Sequence, residues 1–103
     1  MRNLVANFYS QTVQEVLADF AFQEDYPFCP DFLELAEAHN IRSLGEIIYG
    51  VYVLRSKLDR LNPYDERQWA DFTVTNSALK DHMFMAKQVH KLAQEHNMPR
   101  LVV

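Results

Sequence analysis

Apolar residues recur along this chain at spacings of three and four. Leu44, Ile47, Val51, Leu54, Leu58 and Leu61 step 3-4-3-4-3, and Trp69, Phe72, Asn76, Leu79, Met83, Ala86, His90 and Ala93 step 3-4-3-4-3-4-3. A helix lines up residues at these intervals on one narrow stripe, so each segment must bury that stripe against another helix. Around the first stripe, Ile48, Tyr49, Tyr52 and Val53 widen the apolar surface. That width predicts a helix lying centrally in a bundle and touching more than one neighbour.

Upstream, Tyr9, Val13, Val16, Leu17 and Phe20 form the apolar face of a helix expected from about Asn3 to Phe22. Phe32, Leu33, Leu35 and Ala36 supply the buried side of a second, shorter one. No segment alternates with period two for long enough to argue a strand. Glycine occurs only at 45 and 50 and proline only at 27, 30, 63 and 99, the sparse punctuation of long helices joined by short loops.

Start and stop signals fit the same division. Asp31 with Glu34 and Ser43 with Glu46 have capping-box spacing, and the last helical region begins near Asp65 with Gln68 at its third position. Asn40, Asn62-Pro63 and Asn97-Met98-Pro99 are stops, with Asn40 suited to a left-handed residue just past a helix end. Within the last region, Thr73, Thr75, Asn76 and Ser77 favour local side-chain to backbone bonds over helix. They predict a kink or break at 73–77, with Asn76 or Ser77 recapping. The expectation is one all-α domain over residues 1–103, a compact bundle of four helices, or five if the last one breaks.

Leu35-Ala36-Glu37-Ala38-His39-Asn40-Ile41 and Leu92-Ala93-Gln94-Glu95-His96-Asn97-Met98 echo each other at an offset of 57 residues. Both fall at predicted helix ends, where Asn and His serve as stop signals. Convergence explains the echo more simply than duplication does.

Composition narrows the class. The chain has 103 residues, 49% of them hydrophobic, and 13 aromatics, which excludes intrinsic disorder, and no apolar run is long enough to cross a bilayer. No signal peptide is recognised at the start, and the single cysteine, Cys29, cannot form an intramolecular bridge. A cytoplasmic protein is expected. The net charge of -4 is unevenly spread: residues 1–41 hold one arginine against seven carboxylates, and residues 42–103 hold nine bases against seven acids. Such asymmetry either closes internally, the simpler reading, or steers a basic partner to the N-terminal region.

Candidate chemistry is thin. Cys29 lies between Phe28 and Pro30 among acids that oppose a reactive thiolate, and no His assembles a triad with it. His82, Met83, Met85 and His90 lack the spacing of a metal clamp, so the methionines read as core and His82 as surface. The carboxylates at 15, 19, 24, 25, 31, 34 and 37 read as a solvated acidic face, and Lys80, Lys87 and Lys91 with Phe84 as a solvated basic one. No enzyme and no cofactor or metal is expected.

Two placements are unusual. Gly50 sits inside a strong helix at a cost of about 1 kcal/mol relative to alanine, which points to a close helix crossing ahead of a small-molecule pocket. Asn76 and His90 fall on the apolar stripe, where polar residues specify register or oligomeric partner. The resulting expectation is a small acidic protein-binding module, a regulator, adaptor or inhibitor, acting on another protein and forming a homo-oligomer. Its candidate surface is Trp69, Phe72, Asn76, Lys80, Met83, Lys87 and His90. The alternative is a helix-turn-helix DNA-binding regulator using residues 31–55, against which stand an acidic first helix and the apolar Leu44, Ile47 and Ile48 where a recognition helix needs polar groups.

Overall fold

A computed structural model describes residues 8–20 and 31–99, with backbone only for 17–20 and 31. Among these residues the chain is helical and contains no strand. After a helical turn at residues 8–10 come α1 (Val13–Phe20), α2 (Asp31–Ala38), α3 (Leu44–Asp59) and α4 (Trp69–Glu95). The beginning and end expected for the first helix, the side chains of Leu17 and Phe20, the cap at Asp31 and the loop carrying Cys29 lie outside the described residues.

The expected first helix is interrupted at Gln11–Thr12. Thr12 turns the chain and caps α1: the Glu15 N–H donates to Thr12 Oγ1 at 3.0 Å. Ser43 caps α3 in the same way, accepting from the Glu46 N–H at 3.4 Å, while Glu46 Oε2 takes the Arg42 N–H at 2.6 Å. The two caps are tied together, because Thr12 and Ser43 form an isolated antiparallel bridge and the Leu44 N–H donates to the Gln11 carbonyl at 3.1 Å. The interruption therefore fixes where α1 and α3 start relative to one another.

The Leu-Ala-x-x-His-Asn echo is one stop motif used twice. In the first copy the N–H groups of His39, Asn40 and Ile41 donate to Leu35, Glu37 and Ala36; in the second those of His96, Asn97 and Met98 donate to Leu92, Gln94 and Ala93. This is the Schellman pattern, with Asn40 at φ 55° and Asn97 at φ 56° in the left-handed region, and with Ile41 and Met98 packed on the core just beyond. Asn40→Ala is expected to lower stability by about 1 kcal/mol while Asn40→Gly leaves it unchanged or raises it, a contrast that urea unfolding of the two variants measures.

At the other end of α3 the chain reverses through a hydrogen-bonded tip. Asn62 Oδ1 accepts from the Tyr64 N–H and Gln68 Oε1 from the Asn62 N–H, each at 2.9 Å. Asp65 accepts from the Arg67 backbone N–H at 3.0 Å, from its guanidinium and from Gln68 Nε2, and these donors hold its carboxyl below the usual carboxylate range. Gln68 is thus spent on the tip, and α4 starts at Trp69 rather than Asp65.

From Trp69 to Glu95, α4 is a single 27-residue helix, so the expected break at 73–77 does not occur. Thr73 is accommodated by donating its hydroxyl to the Trp69 carbonyl at 2.9 Å, and Thr75 by burial. At 1.5 Å per residue this helix is ~40 Å long, most of the 48 Å long axis of the molecule.

These lengths divide the molecule in two. At one end Phe8, Tyr9, Val13, Val16, Phe32, Ala36, Leu44, Ile47 and Ile48 close over Met85, Ala86, Val89, Leu92 and Ala93 in one core. Phe8 and Tyr9 meet edge to face at 5.0 Å, and Tyr9 donates its hydroxyl to the Pro99 carbonyl at 2.7 Å, joining the start of the described chain to its end. The second half of α3 and the first half of α4 project from that core as an antiparallel hairpin.

Candidate functional site

The hairpin has two layers, and this decides how its apolar residues are placed. Leu44 and Ile47 are fully buried, but Val51, Leu54, Leu58 and Leu61 of the same stripe are only half-buried, because beyond the core α3 has α4 as its partner and nothing else described on its other sides. The central position expected for α3 holds for its first turns alone. Tyr49, Tyr52 and Val53, expected to widen the buried seam, are 56%, 58% and 42% exposed. Spaced i, i+3 and i+4, they form a patch pointing away from the leucine stripe. On α4, Trp69 is 60% exposed, Val74 and Phe84 are exposed, and Tyr64 at the tip is almost wholly so.

The stripe expected on α4 holds at Leu79, Ala86 and Ala93, but its alternate positions are shifted by one residue. Its buried positions are Thr75, Leu79, His82, Met85, Ala86, Val89, Leu92 and Ala93. The heptad thus runs through 75, 82 and 89 rather than 76, 83 and 90. Asn76, Met83 and His90 sit half-buried on its flank, as does Phe72, while Trp69, Lys80 and Lys87 are exposed. Met83 receives Arg55 Nη2 at 3.8 Å from Sδ. Lys87, His90 and Lys91 with Gln94 and Met98 line an open groove of about 450 Å³. Of the seven candidate residues, then, three stand on the surface and four on the edge of the buried stripe.

His82, expected at the surface, is 7% exposed and lies at the helix crossing. Its Nδ1–H donates to the Ala78 carbonyl at 2.9 Å, which leaves Nε2 turned toward α3. There it meets Gly50: a Cβ built on that glycine would stand 2.5 Å from His82 Cδ2 and 2.6 Å from Nε2. Gly50 is therefore the close crossing that the sequence suggested, and its occupant is an imidazole ring. His39, just past α2, packs edge-on against the same ring with centroids 4.9 Å apart and pairs its Nε2 with Asp81 Oδ2 at 3.0 Å. Burial pushes the His82 pKa below its ordinary value and the positive field of His39 adds to this, against the Ala78 hydrogen bond and the Asp81 carboxylate, which raise it.

Among the described residues no group of three or more His, Cys, Asp or Glu side chains could hold a metal ion. Nor is any described helix long and apolar enough to cross a membrane. The chain matches no family model, and no curated protein or solved structure matches it.

Proposed function

We propose that this chain is a small, acidic, non-enzymatic protein-binding module, a regulator, adaptor or inhibitor that works through helix surfaces and self-associates through its hairpin. The observation that supports this is the patch Tyr49, Tyr52 and Val53, exposed on a helix whose leucine stripe is itself only half-covered. No described element covers this patch, whereas the hairpin of a second copy packed against it makes a four-helix arrangement that buries it.

Sedimentation equilibrium at micromolar concentration is expected to show a dimer. Tyr52→Glu combined with Val53→Glu changes exposed side chains, so folding should survive while association weakens by about thirtyfold or more, as loss of a ~2 kcal/mol hot spot implies. A monomer for the wild type, or an unchanged dimer for the double variant, defeats the hairpin reading.

The DNA-reading alternative over residues 31–55 gains no support from the geometry. Leu44, Ile47 and Ile48, at the start of the helix that would enter the groove, are buried in the core, and α3 packs chiefly along α4. Indifference to duplex DNA at low salt removes that alternative.

A further inference from the structure

Three helices are held together at one point by ring contacts. α4 contributes His82, α3 the bare Cα of Gly50, and the end of α2 the edge of His39, with Asp81 fixing His39 from the far side. His82 Nδ1 is committed to Ala78, so a proton added to the ring goes to Nε2, which with Cδ2 makes the edge of the ring that faces Gly50. A neutral ring can rest its unprotonated edge against a glycine Cα. An imidazolium cannot do so without loss: its new N–H would lie on the edge turned to the apolar Gly50, and its charge would stand beside His39 on a ring that is 7% exposed. The titratable and charged groups acting on the ring are His39 from α2 and Asp81 from α4, and α3 faces it with Gly50.

We propose that His82, Gly50 and His39 form a proton-operated latch, in which neutral His82 lets α2, α3 and α4 close at this point and a proton on Nε2 releases the crossing. The sign follows from burial. Because the fold depresses the His82 pKa, the unfolded or opened chain takes up the proton first as pH falls. The stability contributed by the latch is whole above the ordinary histidine value of 6.5 and is lost as pH falls from there to the depressed folded value. This inference is independent of self-association, since every residue in it lies within one copy.

The test is an NMR titration of the full chain from about pH 8 to 5, the histidine range, following the His82 ring signals and amide exchange corrected for its intrinsic pH dependence. The amides flanking Gly50 and His82 are expected to exchange several-fold faster at the acid end, with the same midpoint as the ring. His82→Gln keeps a donor for the Ala78 carbonyl but does not titrate, so acid-induced opening should vanish. Should that variant fail to fold, His39→Gln decides the matter: it removes a positive field from His82, so the ring midpoint and the loss of protection should both move to higher pH. Protection that stays constant while His82 titrates overturns the latch. So does opening that persists in a folded His82→Gln protein, or that keeps its midpoint in His39→Gln.

Discussion

Phe32→Ala is expected to cost about 3 to 5 kcal/mol, a large share of the roughly 5 to 15 kcal/mol that holds a domain of this size folded. Phe32 is fully buried and is the largest side chain that α2 gives to the core, where it lies in one cluster with Val16, Ala36, Leu44, Ile47 and Leu92. Those neighbours come from four helices, so refilling the space would need several elements to move together. The transfer term and the cavity term therefore both apply in full. Urea unfolding should show a lower midpoint with an unchanged slope, the signature of lost stability rather than of a changed unfolded state. Leu58→Ala provides the internal comparison: Leu58 is only half-buried on the hairpin and should cost less than half as much. Equal costs at the two positions would contradict the division into a closed core and an open hairpin.

That division was only partly legible in the chain. Periodicity identifies the helices because a stripe must be covered by something, and the caps at Ser43 and Asn40 are local chemistry that a short window of sequence contains. Periodicity is silent on how many neighbours cover the stripe. Leu44 and Leu58 are the same residue in the same register, yet among the described residues one is in a multi-helix core and the other in a two-helix hairpin. The break at Thr12 was legible and was overridden. Thr12-Val13-Gln14-Glu15 has the capping spacing that marked Ser43–Glu46, but the apolar residues at 9, 13 and 16 continue through it without a change of phase. At Thr73 the opposite happened. A segment of poor local propensity stayed helical because a threonine hydroxyl can bond back to the preceding turn and because Thr75 and Leu79 face α3.

The candidate site was harder to read because the two possible stripes on α4 share Leu79, Ala86 and Ala93 and differ by one residue at the alternate positions, where each contains one histidine. Choosing 76, 83 and 90 places His90 in the seam and His82 outside; the fold takes 75, 82 and 89 and reverses the two. Hydrophobicity alone cannot separate them, since methionine and asparagine on one side are matched against threonine and valine on the other. The discriminating signal is Gly50. A glycine inside a helix of good formers marks a close approach, and the group that makes it here is an imidazole bonded to its own i-4 carbonyl. Tyr49, Tyr52 and Val53 were legible too: they lie on the side of α3 opposite the leucine stripe, which a seam wide enough to include them would have to wrap around.

Gly50→Val is the second change expected to have a large effect, about 1 to 3 kcal/mol of lost stability. Two opposing contributions decide it. Helix propensity favours the change by a few tenths of a kcal/mol, since valine is a better helix residue than glycine. Against this, the first carbon added already stands 2.5 Å from the His82 ring, and valine adds two more. The ring cannot swing aside without breaking its hydrogen bond to Ala78 and its packing on His39, so the helices must separate, and separation at Gly50 loosens the adjacent seam. Overpacking wins. The assignment to His82 is checked by repeating the substitution in a His82→Ala background, where the space is open and the cost of Gly50→Val should fall by more than half, a coupling typical of residues in contact. The same cost in both backgrounds would mean that some other feature of α3 demands glycine there.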